Sequence, residues 1–97
     1  MALLIERRLR MLSKRLAQLR AEIAVADEQL AHFADDADDA RIRALVSETP
    51  LAESERRSAE RHSEAMSRHR DELVARIQRM EAEQDELLDR LADRRRR

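Results

Sequence analysis

Three histidines, His32, His62 and His69, and the acidic run Asp35-Asp36-Ala37-Asp38-Asp39-Ala40 are the residues of this chain whose chemistry could reach beyond packing. Imidazole and carboxylate together hold zinc when two histidines stand three or four residues apart on one helix with a carboxylate poised beside them. Here His62 and His69 are two turns apart, so the spacing supplies no such centre. Calcium would need a glycine turn and a bidentate glutamate at the end of a twelve-residue loop, and the chain has no glycine. With no cysteine there is no disulfide and no thiolate ligand. General acid or base catalysis needs a concave, partly dry pocket around a titratable group, and these carboxylates read instead as a solvated helical face. The chain is therefore expected to be no enzyme and to hold no cofactor or metal.

The basic residues are the next candidates. Arg7, Arg8, Arg10, Lys14 and Arg15 lie near the start and Arg94, Arg95, Arg96 and Arg97 at the end. Folded together they would form a patch able to contact phosphates or an acidic partner, with an affinity that falls with salt. No aromatic side chain stands among them to stack on bases, and Glu81, Glu83, Asp85, Glu86 and Asp89 lie alongside. Nucleic acid is thus possible but not favoured, and a solvated charged end is the plainer reading. Leu3, Leu4 and Met11 add apolar area beside these arginines, the feature an anionic membrane surface would use, though a membrane partner is not expected.

The elements that must position these groups are legible from periodicity. From Ile5 to Ala44 the apolar residues recur at alternating spacings of four and three: Ile5, Leu9, Leu12, Leu16, Leu19, Ile23, Ala26, Leu30, Phe33, Ala37, Ala40 and Ala44. That is an unbroken heptad seam, the signature of one long coiled-coil helix. A second seam runs from Ala52 through Arg56, Ala59, Ser63, Met66, Arg70, Leu73, Ile77, Met80, Gln84 and Leu87 to Leu91. Each member mirrors one of the first, their residue numbers adding to 96. The predicted fold is all-α: an antiparallel two-helix coiled-coil hairpin, a single unit over 1–97, with helix 1 about 2–46, a turn about 47–49, helix 2 about 50–93 and a basic tail 94–97. Composition agrees, since 97 residues with 42% charged, one proline and one aromatic residue describe a long-helix protein. The Arg-rich opening superficially imitates a transit peptide, but its seam runs on without a break as far as Ala44 and it reads as helix. No apolar run long enough to span a bilayer is present, and a cytoplasmic setting is the expectation. Nineteen arginines against the single Lys14, with 16 alanines, point to a GC-rich, bacterial coding sequence.

Charge supports the pairing. Residues 1–20 carry a net +5 and 21–40 a net −7, against +1 for 51–70 and −4 for 71–90, so antiparallel folding sets opposite signs side by side. Flanking positions are expected to bring Arg15 near Glu83, Glu22 near Arg76, Asp36 near His62 and Arg43 near Glu55, with Arg8 and Arg90 as a like-charge pair. Arg56 and Arg70, the charged members of the seam, each face an alanine and are expected to lay their stems over it, reaching Asp36 and Asp39, or Glu22 and Asp27.

At the reversal, Thr49 is placed to cap the second helix and Pro50 to open it, with Glu53 in the first turn. No glycine ends the first helix, so water or a tightened last turn is expected to meet its final carbonyls. Leu45, Val46 and Leu51 crowd the tip and are expected to pack on one another; with Glu48 they are otherwise a partner-binding tip. The string Asp35-x-x-Asp38-x-Ala40 resembles the acidic tip motif of bacterial transcription factors that insert a coiled-coil hairpin into the secondary channel of RNA polymerase. The likeness covers six residues, which lie about two turns below the tip, and no zinc-finger cysteines accompany it. It implies an alternative function, a transcription- or nucleic-acid-associated regulator acting through the acidic tip segment or the basic chain ends.

The leading expectation is a non-enzymatic interaction or assembly module that self-associates. Leu3, Leu4, Met11, Val25, Val74 and Leu88 lie outside the seam, and a two-stranded pair does not cover them. A homodimer packing two hairpins into a four-helix bundle would, with a further protein partner left unidentified.

Overall fold

In the computed structural model, which describes residues 2–96, the heptad pattern is realised as two helices, α1 (Ala2–Ser47) and α2 (Pro50–Arg96). Neither is long and apolar enough anywhere along its length to cross a membrane. The only break among the described residues is Glu48-Thr49. Good helix formers and the absence of interior glycine or proline let each helix run on, while stability must come from the buried seam. That seam is occupied as the periodicity requires. Every one of its positions on both helices is buried or half-buried, and the residues between them are mostly exposed.

The chain divides into two compact units, each drawing on both helices. The first joins Met1–Ile23 to Leu73–Arg97. Its core is aliphatic: Leu12, Leu16 and Leu19 are essentially inaccessible, and Leu73, Ile77 and Leu91 are buried with them. Antiparallel pairing is recorded in its cross-helix ion pairs, Arg8 with Glu83 at 2.7 Å, Arg20 with Glu81 at 3.7 Å and Glu6 with Arg95 at 3.8 Å. The numbers of each pair add to within five of the mirror sum of 96.

The second unit, Ala24–Glu72, contains the turn. Its fully buried seam residues are Ala26, Ala40 and Ala52, so less apolar surface leaves water per turn here than in the first unit. Arg70 reaches across to hydrogen-bond Asp27 from a position level with Ala26. A long side chain over a small one keeps the helices in register, as expected of this position. Arg56 behaves differently: its guanidinium stays on its own helix, bound to Glu53 and to Glu60 at 2.8 Å, and not to Asp36 or Asp39. Carboxylates three and four residues away are always within reach on a helix, whereas those on the partner helix demand an extended arm.

The turn is closed by geometry that glycine usually supplies. Glu48 has φ 51°, the left-handed region, and its N–H donates to the carbonyl of Ala44 at 3.1 Å. That is the single-bond αL cap, in which the chain itself meets the Ala44 carbonyl. Thr49 then caps α2 as expected: its Oγ1 accepts from the N–H of Ala52 at 3.1 Å, and its carbonyl accepts from Glu53 N–H at 3.1 Å. Pro50 begins the helix where its missing N–H costs nothing. At the other end α2 continues through Arg96, so Arg94–Arg96 form a last helical turn where a trailing tail was expected. Cations there complement the negative end of the helix dipole.

Candidate functional site

The residues expected to mediate self-association are, with one exception, exposed. In the first unit Leu3, Leu4 and Met11 are 58–60% accessible and Leu88 is 48%. Val25, in the second unit, is 54% accessible. Val74 is half-buried, because it sits on the flank of the seam next to the fully buried Leu73. The outer positions of α1 point away from the partner helix, so the fold that buries the seam leaves these apolar side chains in water.

The tip corrects one expectation. Leu45, Val46 and Leu51 do not close the hairpin end by packing on one another; they are 71–80% accessible, the most exposed large apolar side chains of the molecule. The cause is the seam itself. With Ala44 on it, Leu45 and Val46 fall on the outer side of α1, and a two-residue turn is too short to fold back over them. Ile42, at 57%, lies one turn earlier on the same face and completes an apolar cluster that sequence reading passed over. Its spacing of three and four from Leu45 and Val46 was the available signal. Glu48 is itself exposed at the reversal.

The basic residues are partly neutralised. Arg8 forks onto Glu83, Nε to Oε2 at 2.7 Å and Nη2 to Oε1 at 2.9 Å. This bidentate hydrogen bond holds the Glu83 carboxyl below the usual carboxylate range and raises the Arg8 guanidinium further. Arg95 meets Glu6, and Arg96 meets Asp93 at 3.7 Å. Arg7, Arg10 and Lys14 are exposed and form no ion pair among the described residues; Arg94 is exposed as well, and Arg97 lies outside those residues.

The flanking pairs differ from those expected. Arg15 approaches Glu22 on its own helix at 3.7 Å and not Glu83, and Asp36 approaches His32 at 3.6 Å rather than His62. Neither Glu22 with Arg76 nor Arg43 with Glu55 forms an ion pair, and Arg90 turns to Glu86 at 2.7 Å, away from Arg8. Arg15, Asp36 and Arg90 turn to partners on their own helix, and the pairs that do cross, Arg8 with Glu83 and Arg20 with Glu81, are offset from the level pairing in opposite directions. A second tight carboxylate is Glu53, held below its ordinary value chiefly by its hydrogen bonds from Arg56, whose own pKa rises in return.

Two of the three histidines, His32 and His62, flank the single phenylalanine ring. Phe33 lies 6.0 Å from the His62 ring and 6.3 Å from that of His32, both tilted. Two open clefts adjoin it in the second unit, one of about 430 Å³ lined by Glu28, Gln29, His32, Phe33 and Met66, the other of about 320 Å³ lined by Phe33, His62, Ala65 and Met66. Both border Phe33 and Met66, in a seam that in this unit otherwise holds alanines, Ser63, Leu30, Arg56 and Arg70. Their walls are mainly apolar, with Glu28, Gln29 and His32 also lining the first and His62 the second. Among the described residues no group of three histidines or carboxylates is placed to hold a metal ion. Asp35 and Asp38 sit inside α1, below the turn, and the acidic run is exposed except for the half-buried Ala37 and the seam residue Ala40. No protein-family model, no curated protein and no solved structure matches the chain.

Proposed function

We propose that this protein is a non-enzymatic coiled-coil interaction module that self-associates, with two copies packing side by side as a four-helix bundle. The observation that carries this reading is the exposure of Leu3, Leu4 and Met11, each about three-fifths accessible on the face of α1 turned away from its own partner helix. Contiguous exposed aliphatic side chains on one helix face are what a helical partner covers. A pair of helices with one thin seam also buries too little surface to be robust alone, so association adds the burial the monomer lacks. The open clefts and solvated carboxylates lend no support to catalysis. On the composition argument given above, the module works in a bacterial cytoplasm.

The test is the double substitution Leu4→Glu with Met11→Glu, followed by light scattering and far-ultraviolet circular dichroism. Mass should fall toward the 11.4 kDa of a single chain while helicity is retained. An associated mass identical to that of the unsubstituted chain would remove this face from the interface.

A further inference from the structure

Beyond the seam, α1 carries two outer patches of opposite character. Near its start, within the first unit, the positions farthest from the seam are Leu3, Leu4, Arg7, Arg10, Met11 and Lys14; near its end, within the second, they are Asp35, Asp38, Asp39, Ile42, Leu45 and Val46. All twelve are exposed. Arg7, Arg10, Lys14, Asp35 and Asp39 make no ion pair among the described residues, and Asp38 meets only the exposed Arg41 of its own helix at 3.0 Å. The first patch begins apolar and becomes basic along the chain. The second begins acidic and becomes apolar.

We infer that the first patch of one copy docks antiparallel on the second patch of another copy, α1 against α1. Leu4 then lies level with Leu45, Leu3 with Val46, Arg10 with Asp39 and Lys14 with Asp35, while Arg7 falls level with Ile42 and Met11 with Asp38, so four of the six level pairs match in character. This rests on the self-association reading and gives it a surface, an orientation and a register; because the contact lies opposite the seam, the two α1 helices are central and each α2 outermost, an open four-helix layer in place of a closed bundle. The occupant is identified by complementarity: one end of the contact is aliphatic on both sides, the other pairs bases with acids. The register is fixed by the same residues, since two helices meeting through these outer positions repeat their fit only every heptad. A slip of one heptad in one direction sets Leu3 and Leu4 against Asp39 and Asp38. In the other it sets Arg10 against Val46 and Lys14 against Ile42. Each slip leaves one matching pair of three within the patches, Arg7 with Asp35 or Met11 with Leu45, and sets the other two charge against apolar surface, which disfavours it. The stated register matches four pairs of six and keeps both aliphatic pairs and both ion pairs.

Charge swapping tests this directly. One variant carries Arg7→Glu, Arg10→Glu and Lys14→Glu; the other carries Asp35→Lys, Asp38→Lys and Asp39→Lys. Each alone places like charges across the contact and should self-associate on the order of a hundredfold more weakly than the unsubstituted chain. An equimolar mixture restores opposite charges where residue 10 meets 39 and residue 14 meets 35, and should recover the associated mass by light scattering, with both components in the recovered species. Circular dichroism reports whether each variant stays helical; if a triple variant does not, the pair Arg10→Glu and Asp39→Lys is read in the same way. Variants that keep the unsubstituted mass, or a mixture that stays as dissociated as its components, would overturn this pairing while leaving self-association in place. An unsubstituted chain of 11.4 kDa at every concentration would instead remove the self-association on which it rests.

Discussion

Replacing Glu48 with glycine should stabilise the fold, although Glu48 touches nothing in the core. Its φ of 51° brings Cβ against the following carbonyl, which for a residue other than glycine costs about 1–2 kcal/mol. Glycine removes that cost but brings an unfolded chain with more freedom to lose, an opposing effect of about 0.5–1 kcal/mol. The net gain is about 0.5–1 kcal/mol, a two- to fivefold shift in the folding equilibrium. With a urea dependence of about 1–2 kcal/mol per molar, the midpoint followed by circular dichroism should rise by about half a molar at unchanged slope. Protein concentration must be held fixed, because association contributes to apparent stability. Glu48→Ala keeps a Cβ and should leave the midpoint within about 0.2 M of the parent. Glu48→Pro cannot reach a positive φ and deletes the N–H that donates to Ala44, and should cost about 3 kcal/mol or more. A glycine variant no more stable than the alanine one would show that the backbone at 48 is not held in the left-handed region, and the cap described for α1 would be wrong.

Thr49→Ala removes the acceptor for the Ala52 N–H and should cost about 0.5–2 kcal/mol in the same urea experiment, whereas Thr49→Ser should cost little. Arg70→Leu, set against the buried Ala26, should raise stability by about 1 kcal/mol, since it adds apolar contact and gives up only an exposed ion pair with Asp27; thermal unfolding that falls instead would show the pair to be essential. Glu83 has its pKa lowered below 4.5 by Arg8, so the stabilisation it brings is full above the unfolded-state value and disappears as pH falls through the lowered folded one. Carbon-detected NMR should find Glu83 titrating below the solvent-exposed glutamates, and Arg8→Ala should move it back among them.

The seam was legible because a heptad repeat is a property of spacing alone, and the mirror order of two such repeats needs only a reversal between them. Thr49-Pro50 marked that reversal by chemistry that acts locally. What escaped was decided by choices among near neighbours. Glu48 takes the glycine conformation because the αL hydrogen bond to Ala44 needs only a backbone N–H at that position, and no preference of glutamate announces it. Arg56 selects Glu53 and Glu60 over carboxylates across the seam, and Arg8 selects Glu83, each picking from several partners within reach of a long side chain. At the tip the helix end was expected to within one residue, but Leu45 and Val46 directly follow the seam residue Ala44 and so face outward, where a two-residue turn cannot cover them. The outer surface was partly legible: Leu3, Leu4 and Met11 were separable from the seam by position, while Ile42 drew attention only once the exposure of its neighbours was known.

Self-association through exposed helix faces is tested most directly by the mass of the unsubstituted protein, by sedimentation equilibrium from low micromolar to near-millimolar concentration. The expected result is a reversible rise from near 11.4 kDa toward twice that mass, with half-dissociation moving to higher concentration in the Leu4→Glu, Met11→Glu variant. A single species of 11.4 kDa across the whole range would contradict it.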